Sequence, residues 1–193
     1  TNLTVGLMGQ RSFLGGKVAA LNSAIKQQYY YPLGRLNFAW KVASGRDFRF
    51  YYRGSIKEPS LQQLQPVVDN SNPLNIVLGN PLLRPEYHHN LNLGYQLFDQ
   101  FSFIHFFARG GLVAKQHSII WKQNLDEALR TISEPINVGL TYNINGTLNF
   151  GAPIRKLGIK TEPNLEAALH QSIAYVNNIE NQVWGQQWSM DLS

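Results

Sequence analysis

The chain has 193 residues, 44% of them hydrophobic and 12% aromatic, and only 15% charged, against about 25% charged in an average soluble domain. With no cysteine there is neither a disulfide framework nor a thiolate metal site, and a formal charge of +5 without a basic patch makes no case for nucleic acid. No run approaches the roughly 20 apolar residues of a membrane helix, a criterion that strands escape because alternation hides their hydrophobicity.

The chain opens Thr1-Asn2-Leu3-Thr4 with no Met and no signal peptide, and reads as a strand already in progress, as expected of an internal piece of a longer protein. Leu3, Val5 and Leu7 give a short alternating segment. Leu36, Phe38, Trp40 and Val42 then alternate with Arg35, Asn37 and Lys41, and Phe48, Phe50, Tyr52 and Ile56 with Arg49, Arg53, Ser55 and Lys57. Leu91, Leu93, Tyr95 and Leu97 alternate with Asn90, Asn92 and Gln96. Segment 101–114 is less regular, with Phe101, Phe103 and Phe107 opposite Ile104, Phe106, Ala108 and Leu112. The longest case is 136–150, where Ile136, Val138, Leu140, Tyr142, Ile144, Gly146, Leu148 and Phe150 face Asn137, Gly139, Thr141, Asn143, Asn145, Thr147 and Asn149. Leu165, Ala167, Leu169 and Ile173 alternate with Asn164, Glu166, His170 and Ser172, and Trp184, Trp188, Met190 and Leu192 with Gly185, Gln187, Ser189 and Asp191. Strict period-two alternation means one greasy and one wet face, and these runs exceed the about 5–6 residues of a typical soluble strand.

The connections alternate in length. Ser44–Asp47, Phe98–Phe101 and the basic Gly151–Gly158 segment are compact turns, while 11–34, 58–86 and 115–135 are long links and 177–182 a moderate one. Threading eight strands in order puts every compact turn on one side, the asymmetry of outer-membrane barrels. Asn145-Gly146 competes as a type I′ hairpin signal, but only Thr147 to Phe150 would follow it and the parity would reverse, so Gly146 is read as an in-strand glycine. Tyr29, Tyr30, Tyr31, Trp40, Tyr87, Trp121, Tyr175, Trp184 and Trp188 cluster near the expected strand ends, as boundary girdles require.

Catalytic and metal chemistry find little support. His88 and His89 point to opposite strand faces and cannot share an ion; His105, His117 and His170 have no ligand spacing. Glu162 and Glu166 would share a face roughly 13–14 Å apart, suited to a watery lumen. Leu14-Gly15-Gly16-Lys17 lacks the remaining features of a phosphate loop.

Residues 53–86 carry a more specific signal. Pro59-Ser60, Leu64-Gln65-Pro66, Asp69-Asn70-Ser71-Asn72-Pro73, Gly79-Asn80-Pro81 and Leu83-Arg84-Pro85-Glu86 follow one another in order. This resembles the barrel of TonB-dependent receptors, especially its outer-membrane β-barrel family branch. Five prolines forbid a regular ladder here, Gly79 offers unusual backbone angles beside Asn80-Pro81, and Arg84 and Glu86 are placed to fix neighbouring strands or loops. The expected role of the motif is architectural.

The resemblance implies an all-β antiparallel transmembrane barrel segment, of about eight strands by our reading. It would belong to a barrel of typically 22 strands, with residues 1–193 a partial domain lacking the plug and remaining strands. It ends Trp-Ser-Met-Asp-Leu-Ser, without the terminal aromatic common in such barrels. Location in the bacterial outer membrane is implied, as is uptake of bulky cargo of the siderophore, cobalamin, glycan or peptide class. Membrane lipid, lipopolysaccharide, the plug and the TonB complex would be partners, with no enzymatic activity, cofactor or nucleic acid. Arg11, Lys17, Lys26, Lys115, His117 and Lys122 are basic candidates in the long links. The alternatives are a small closed outer-membrane barrel (porin, adhesin or esterase) and a soluble β-sandwich binding module, which would bury the greasy faces together.

Overall fold

The computed structural model describes residues 1–18, 23–154 and 158–192. Its strands are β1 (Asn2–Val18), β2 (Ser23–Ala43), β3 (Arg46–Lys57), β4 (Asp69–Asn72), β5 (Asn75–Val77), β6 (Glu86–Phe98), β7 (His105–Gln116), β8 (Ile119–Leu125), β9 (Thr131–Asn137), β10 (Thr141–Ile154), β11 (Ile159–Thr161), β12 (Pro163–Val176) and β13 (Ile179–Leu192), with a single helical turn, α1 (Leu61–Leu64). Thirteen strands among the described residues thus replace the expected eight. Eight of them are long and pair antiparallel in chain order, β1-β2-β3-β6-β7-β10-β12-β13. The other five are short and lie in the links. The sheet does not close on itself among the described residues.

This long-stranded wall has two unlike faces, fixed by register. Leu3, Phe38, Phe50, Leu93, Gly110, Gly146, Ala167 and Trp188 lie opposite one another in a row across all eight strands. One residue along, the other face carries Asn2, Ala39, Arg49, Gly94, Arg109, Thr147, Glu166 and Ser189. Among the described residues nothing covers the apolar face: Ile144 is 44% exposed, Leu148 46%, Phe150 43% and Trp188 79%. A sandwich would have hidden these side chains against a second sheet.

Several expected boundaries need correction. The 11–34 link is mostly strand, because β1 and β2 run on as one long hairpin to Val18 and from Ser23. The link 177–182 shrinks to the two-residue turn Asn177-Asn178, both left-handed (φ 50° and 61°), the geometry of a type I′ hairpin. The single strand expected over 136–150 breaks at 138–140: Ile136 belongs to β9, and β10 starts at Thr141. Segment 101–114 begins its strand only at His105, and the 151–158 turn is shortened by β10 running to Ile154. Gly146 does lie inside β10, opposite Gly110 on one side and Ala167 on the other, so both neighbours hold the chain straight through Asn145-Gly146. The aromatic girdle is looser than expected, since Tyr29 to Tyr31 fall inside β2 and Trp184 and Trp188 inside β13.

At the turn end of the wall, Gly45 (φ +72°) takes a conformation that favours glycine. A Cβ there would lie 2.1 Å from the Phe98 carbonyl oxygen, and the Phe98 N–H donates to Gly45 O at 2.7 Å. The β2–β3 turn is thereby joined to the end of β6.

At the opposite end, the two long links form one cap. β4, β5, β9 and β8 lie side by side in that order. β5 runs parallel to β9, with Ile76 opposite Ile132, and β8 reaches the wall where the Asn177 N–H donates to Gln123 O (2.9 Å). The expected loops 58–86 and 115–135 therefore contain helix and strand. The cap folds over the polar-face side of β1 and β2. Leu64 and Leu83, 0% and 2% exposed, form its core, with Leu14 of β1 and Ile119 of β8 packed against them. Burying each such side chain is worth about 1.5–3 kcal/mol, enough to hold the links down onto the strands.

Candidate functional site

The polar face and the cap above it hold the wall's unusual chemistry. α1 starts with a capping box: Ser60 Oγ accepts the Gln63 N–H (3.2 Å) and Gln63 Oε1 accepts the Ser60 N–H (2.9 Å). This satisfies two donors that a helix start otherwise leaves open. The turn delivers Leu64 to the core, and its Gln65 carbonyl comes so close to Gly79 that a Cβ there would stand 1.8 Å from the oxygen. Gly79 is needed for space; unlike Gly45 it has no positive φ, which corrects the expected conformational role.

From Gly79 onward the chain is fastened in three directions. The Asn80 N–H donates to Gln63 O (2.6 Å) and Asn80 Nδ2 to Pro135 O (3.0 Å). Gln27 Nε2 donates to Pro81 O (2.5 Å), tying the cap to β2. The Arg84 N–H donates to Asn137 Oδ1 (2.7 Å), while Asn137 Nδ2 donates to Arg84 O (2.9 Å) and His117 O (2.7 Å). Glu86, 5% exposed, accepts the Ile119 N–H (2.7 Å) on one carboxylate oxygen, and its other oxygen lies 2.9 Å from His88 Nε2. Pro59, Pro85 and Pro135 are, like Leu64, fully buried.

The middle of the motif behaves differently. Pro66, Asp69, Ser71, Asn72 and Pro73 are exposed, and the Asn70 side chain lies outside the described residues. The Ser71 hydroxyl (2.6 Å) and N–H (3.1 Å) both donate to Asp69 Oδ1 and hold that carboxyl below its usual range, the hydroxyl contributing most. Asn72 Oδ1 accepts the Leu74 N–H (3.0 Å) to close the β4–β5 turn.

Below the cap, the polar face presents four exposed arginines. Arg35 of β2 stands directly opposite Arg53 of β3. Arg49 of β3 and Arg109 of β7 flank Gly94 of β6 two rows further along the same face, past the row of Asn37, Tyr51 and Asn92. Between the rows sits a cavity of about 400 Å³ bordered by Asn37, Arg49, Tyr51, Asn92, Gly94 and Arg109. The Arg35 guanidinium lies 5.8 Å from the centre of the Tyr51 ring and that of Arg109 4.5 Å from the Phe107 ring.

A sheet with one bare apolar face and one polar face capped at one end by its own links is a wall between hydrocarbon and water. The sequence model of the outer membrane protein beta-barrel family matches residues 1–193. The chain belongs to that family. Its place is the bacterial outer membrane. No curated protein matches it.

Within this outer-membrane barrel protein, the sequence-predicted motif residues gather in the cap, with Pro59, Leu64, Leu83, Pro85 and Glu86 buried in it and Pro66, Asp69, Ser71, Asn72 and Pro73 exposed. The candidate basic residues disperse. Arg11 sits 5.3 Å over the Tyr30 ring, and Lys122 pairs with Glu134 at 3.1 Å. Lys115 lies in β7 and His117 in the connection after it, Lys26 is exposed on β2, and the Lys17 side chain lies outside the described residues. His88 and His89 do part to opposite faces: His88 to Glu86, and His89 to the Tyr52 hydroxyl at 2.9 Å. Glu162 precedes β12 and pairs with Lys160 at 2.8 Å. Two features escaped the sequence reading. Ser60 followed by Gln63 announces a capped helical turn, and Asn137, read as one more polar strand residue, is the fastener between the two links.

Proposed function

We propose that this chain is part of the barrel wall of a TonB-dependent receptor, taking up bulky nutrients of the siderophore, cobalamin, glycan or peptide class, and that it performs no enzymatic chemistry. The observation that carries the reading is the cap. The two ends of the motif, Pro59 to Leu64 and Gly79 to Glu86, fold inward over the polar face, bonded to the wall through Gln27 and to the neighbouring link through Asn137 and Ile119. In a closed barrel, links folded this way would lie over the mouth of the lumen, which supports a receptor that meets large cargo there. A wide barrel leaves a lumen that needs a plug, and the resemblance implies about 22 strands, a plug and lipopolysaccharide around the rim.

On this reading the motif is architectural, shaping the mouth without selecting cargo. Deleting the gene in its host should abolish growth on one scarce bulky nutrient, and inactivating TonB in the wild-type strain should do the same. Growth that depends on the gene but not on TonB would instead favour a passive, porin-like barrel.

A further inference from the structure

We infer that the polar face carries a binding site for a small polyanion bearing two or more carboxylate or phosphate groups, built from Arg35, Arg49, Arg53 and Arg109 around Tyr51, Asn92 and Gly94. This rests on the polar face being the watery side of the wall, as the proposed function also requires.

The first ground is the missing counter-charge. Among the described residues, none of the four arginines has a carboxylate within ion-pair distance. The carboxylates on this face leave the four arginines without an ion pair. Asp47, two positions before Arg49, borders a hollow shared with Arg49 and Arg109 and accepts from Gln96 Nε2 at 2.8 Å, but lies beyond ion-pair distance of either guanidinium. Glu166 shares the row of Arg109 but stands two strands away beyond Thr147, and accepts from Asn164 Nδ2 at 3.3 Å. The second ground is the direct opposition of Arg35 and Arg53. Like charges facing each other across a strand pair destabilise a sheet, so this placement is adverse until an anion lies between them.

The third ground is shape. Gly94 separates Arg49 from Arg109, and a Cβ built on it meets no atom within 4 Å. Two strand spacings put the arginine stems about 9.6 Å apart, with open space between them into which two planar forks can converge on one ligand. Arginine is suited to this, since its fork accepts carboxylate or phosphate in pairs of parallel hydrogen bonds. The rings under Arg35 and Arg109 hold guanidinium groups in place without using up their charge. Asn37 and Asn92 add neutral polar groups at the border of the cavity.

The test uses the full-length outer-membrane protein folded in detergent micelles, titrated calorimetrically with citrate, with pyrophosphate and with acetate as a single-charge control. Citrate or pyrophosphate should bind at least tenfold more tightly than acetate, the stronger of the two naming carboxylate or phosphate as the preferred group. The paired substitution Arg49→Gln with Arg109→Gln should weaken that binding at least tenfold, and Gly94→Glu, which places a carboxylate between the two forks, should do the same. Arg53→Gln should weaken binding while leaving thermal stability equal or higher, because it removes a like-charge opposition; a merely structural arginine would lower it. The inference is overturned if neither polyanion binds protein that still shows the native gel mobility of a folded barrel, or if the paired variant binds within twofold of wild type. Either result leaves the TonB-dependence of uptake, measured in cells, untouched.

Discussion

Leu148 in the wall is 46% exposed and Leu64 in the cap not at all, yet each marks the part of the molecule it belongs to. The wall is held by backbone ladders between strands of twelve or more residues, and its apolar side chains gain from a hydrocarbon solvent outside the protein. The cap is held by a small core, buried prolines and side-chain-to-backbone bonds between residues more than fifty positions apart, as for Gln27 with Pro81 and Arg84 with Asn137. One region depends on where the protein sits; the other carries its own interior. Perturbations should therefore separate them.

The largest effect is expected for Leu64→Ala, which empties the centre of the cap at a cost of about 2–5 kcal/mol. Limited proteolysis should then cut within 61–83 while the circular-dichroism signal of the strands persists; simultaneous loss of both would merge the two regions. Next, Leu148→Arg should cost about 2–4 kcal/mol for insertion into lipid vesicles if the residue lies near the membrane midplane, while its neighbour Thr147→Arg, on the polar face, should insert almost normally. Equal penalties would erase the distinction between faces. Third, Glu86→Ala leaves the Ile119 N–H without its acceptor, a loss of about 1–3 kcal/mol. It should appear as faster amide exchange at Ile119 and Asn137 with β10 and β12 unchanged.

The smallest effect concerns the β8–β9 turn. The Asp126 carboxylate accepts the Arg130 N–H (2.9 Å) and pairs with the Arg130 side chain (2.7 Å), which holds its carboxyl below the usual range, the backbone bond contributing most. A lowered folded-state pKa gives stability that is present above the unfolded value of about 3.9 and is lost as pH falls through the folded one. Protease sensitivity at 126–130 should thus be flat from neutral pH down to about 5 and rise only under stronger acid; Asp126→Asn should show the raised sensitivity at neutral pH.

The wall was legible in sequence because membrane and water impose a period of two on it, as in Tyr142 to Phe150. The extensions of β1 and β2 were not, since Gln10 to Lys17 and Lys26 to Tyr31 lack that alternation; where both faces are wet the period disappears. The 136–150 run misled because Ile136 and Val138 keep the same parity across a break. In the cap the motif was visible as a string of residues, but its contacts join distant positions that no local pattern reports. Arg35, Arg49 and Arg53 were visible singly as polar-face residues and Arg109, in the irregular 101–114 segment, was not; only register across β2, β3, β6 and β7 reveals them as a group.

The 17 and 21 residues of β1 and β2 have a final consequence. Seventeen residues reach about 56 Å end to end, and even at a tilt near 40° they overshoot an apolar band about 25 Å tall. The hairpin is therefore a mast rooted in the membrane, and Gln27 and Tyr29 moor the roof of the mouth to it through Pro81 and Leu83. Strand length then sets the roof's altitude: two residues added to each arm would carry it about 7 Å further along the strands and leave every side chain on its own face.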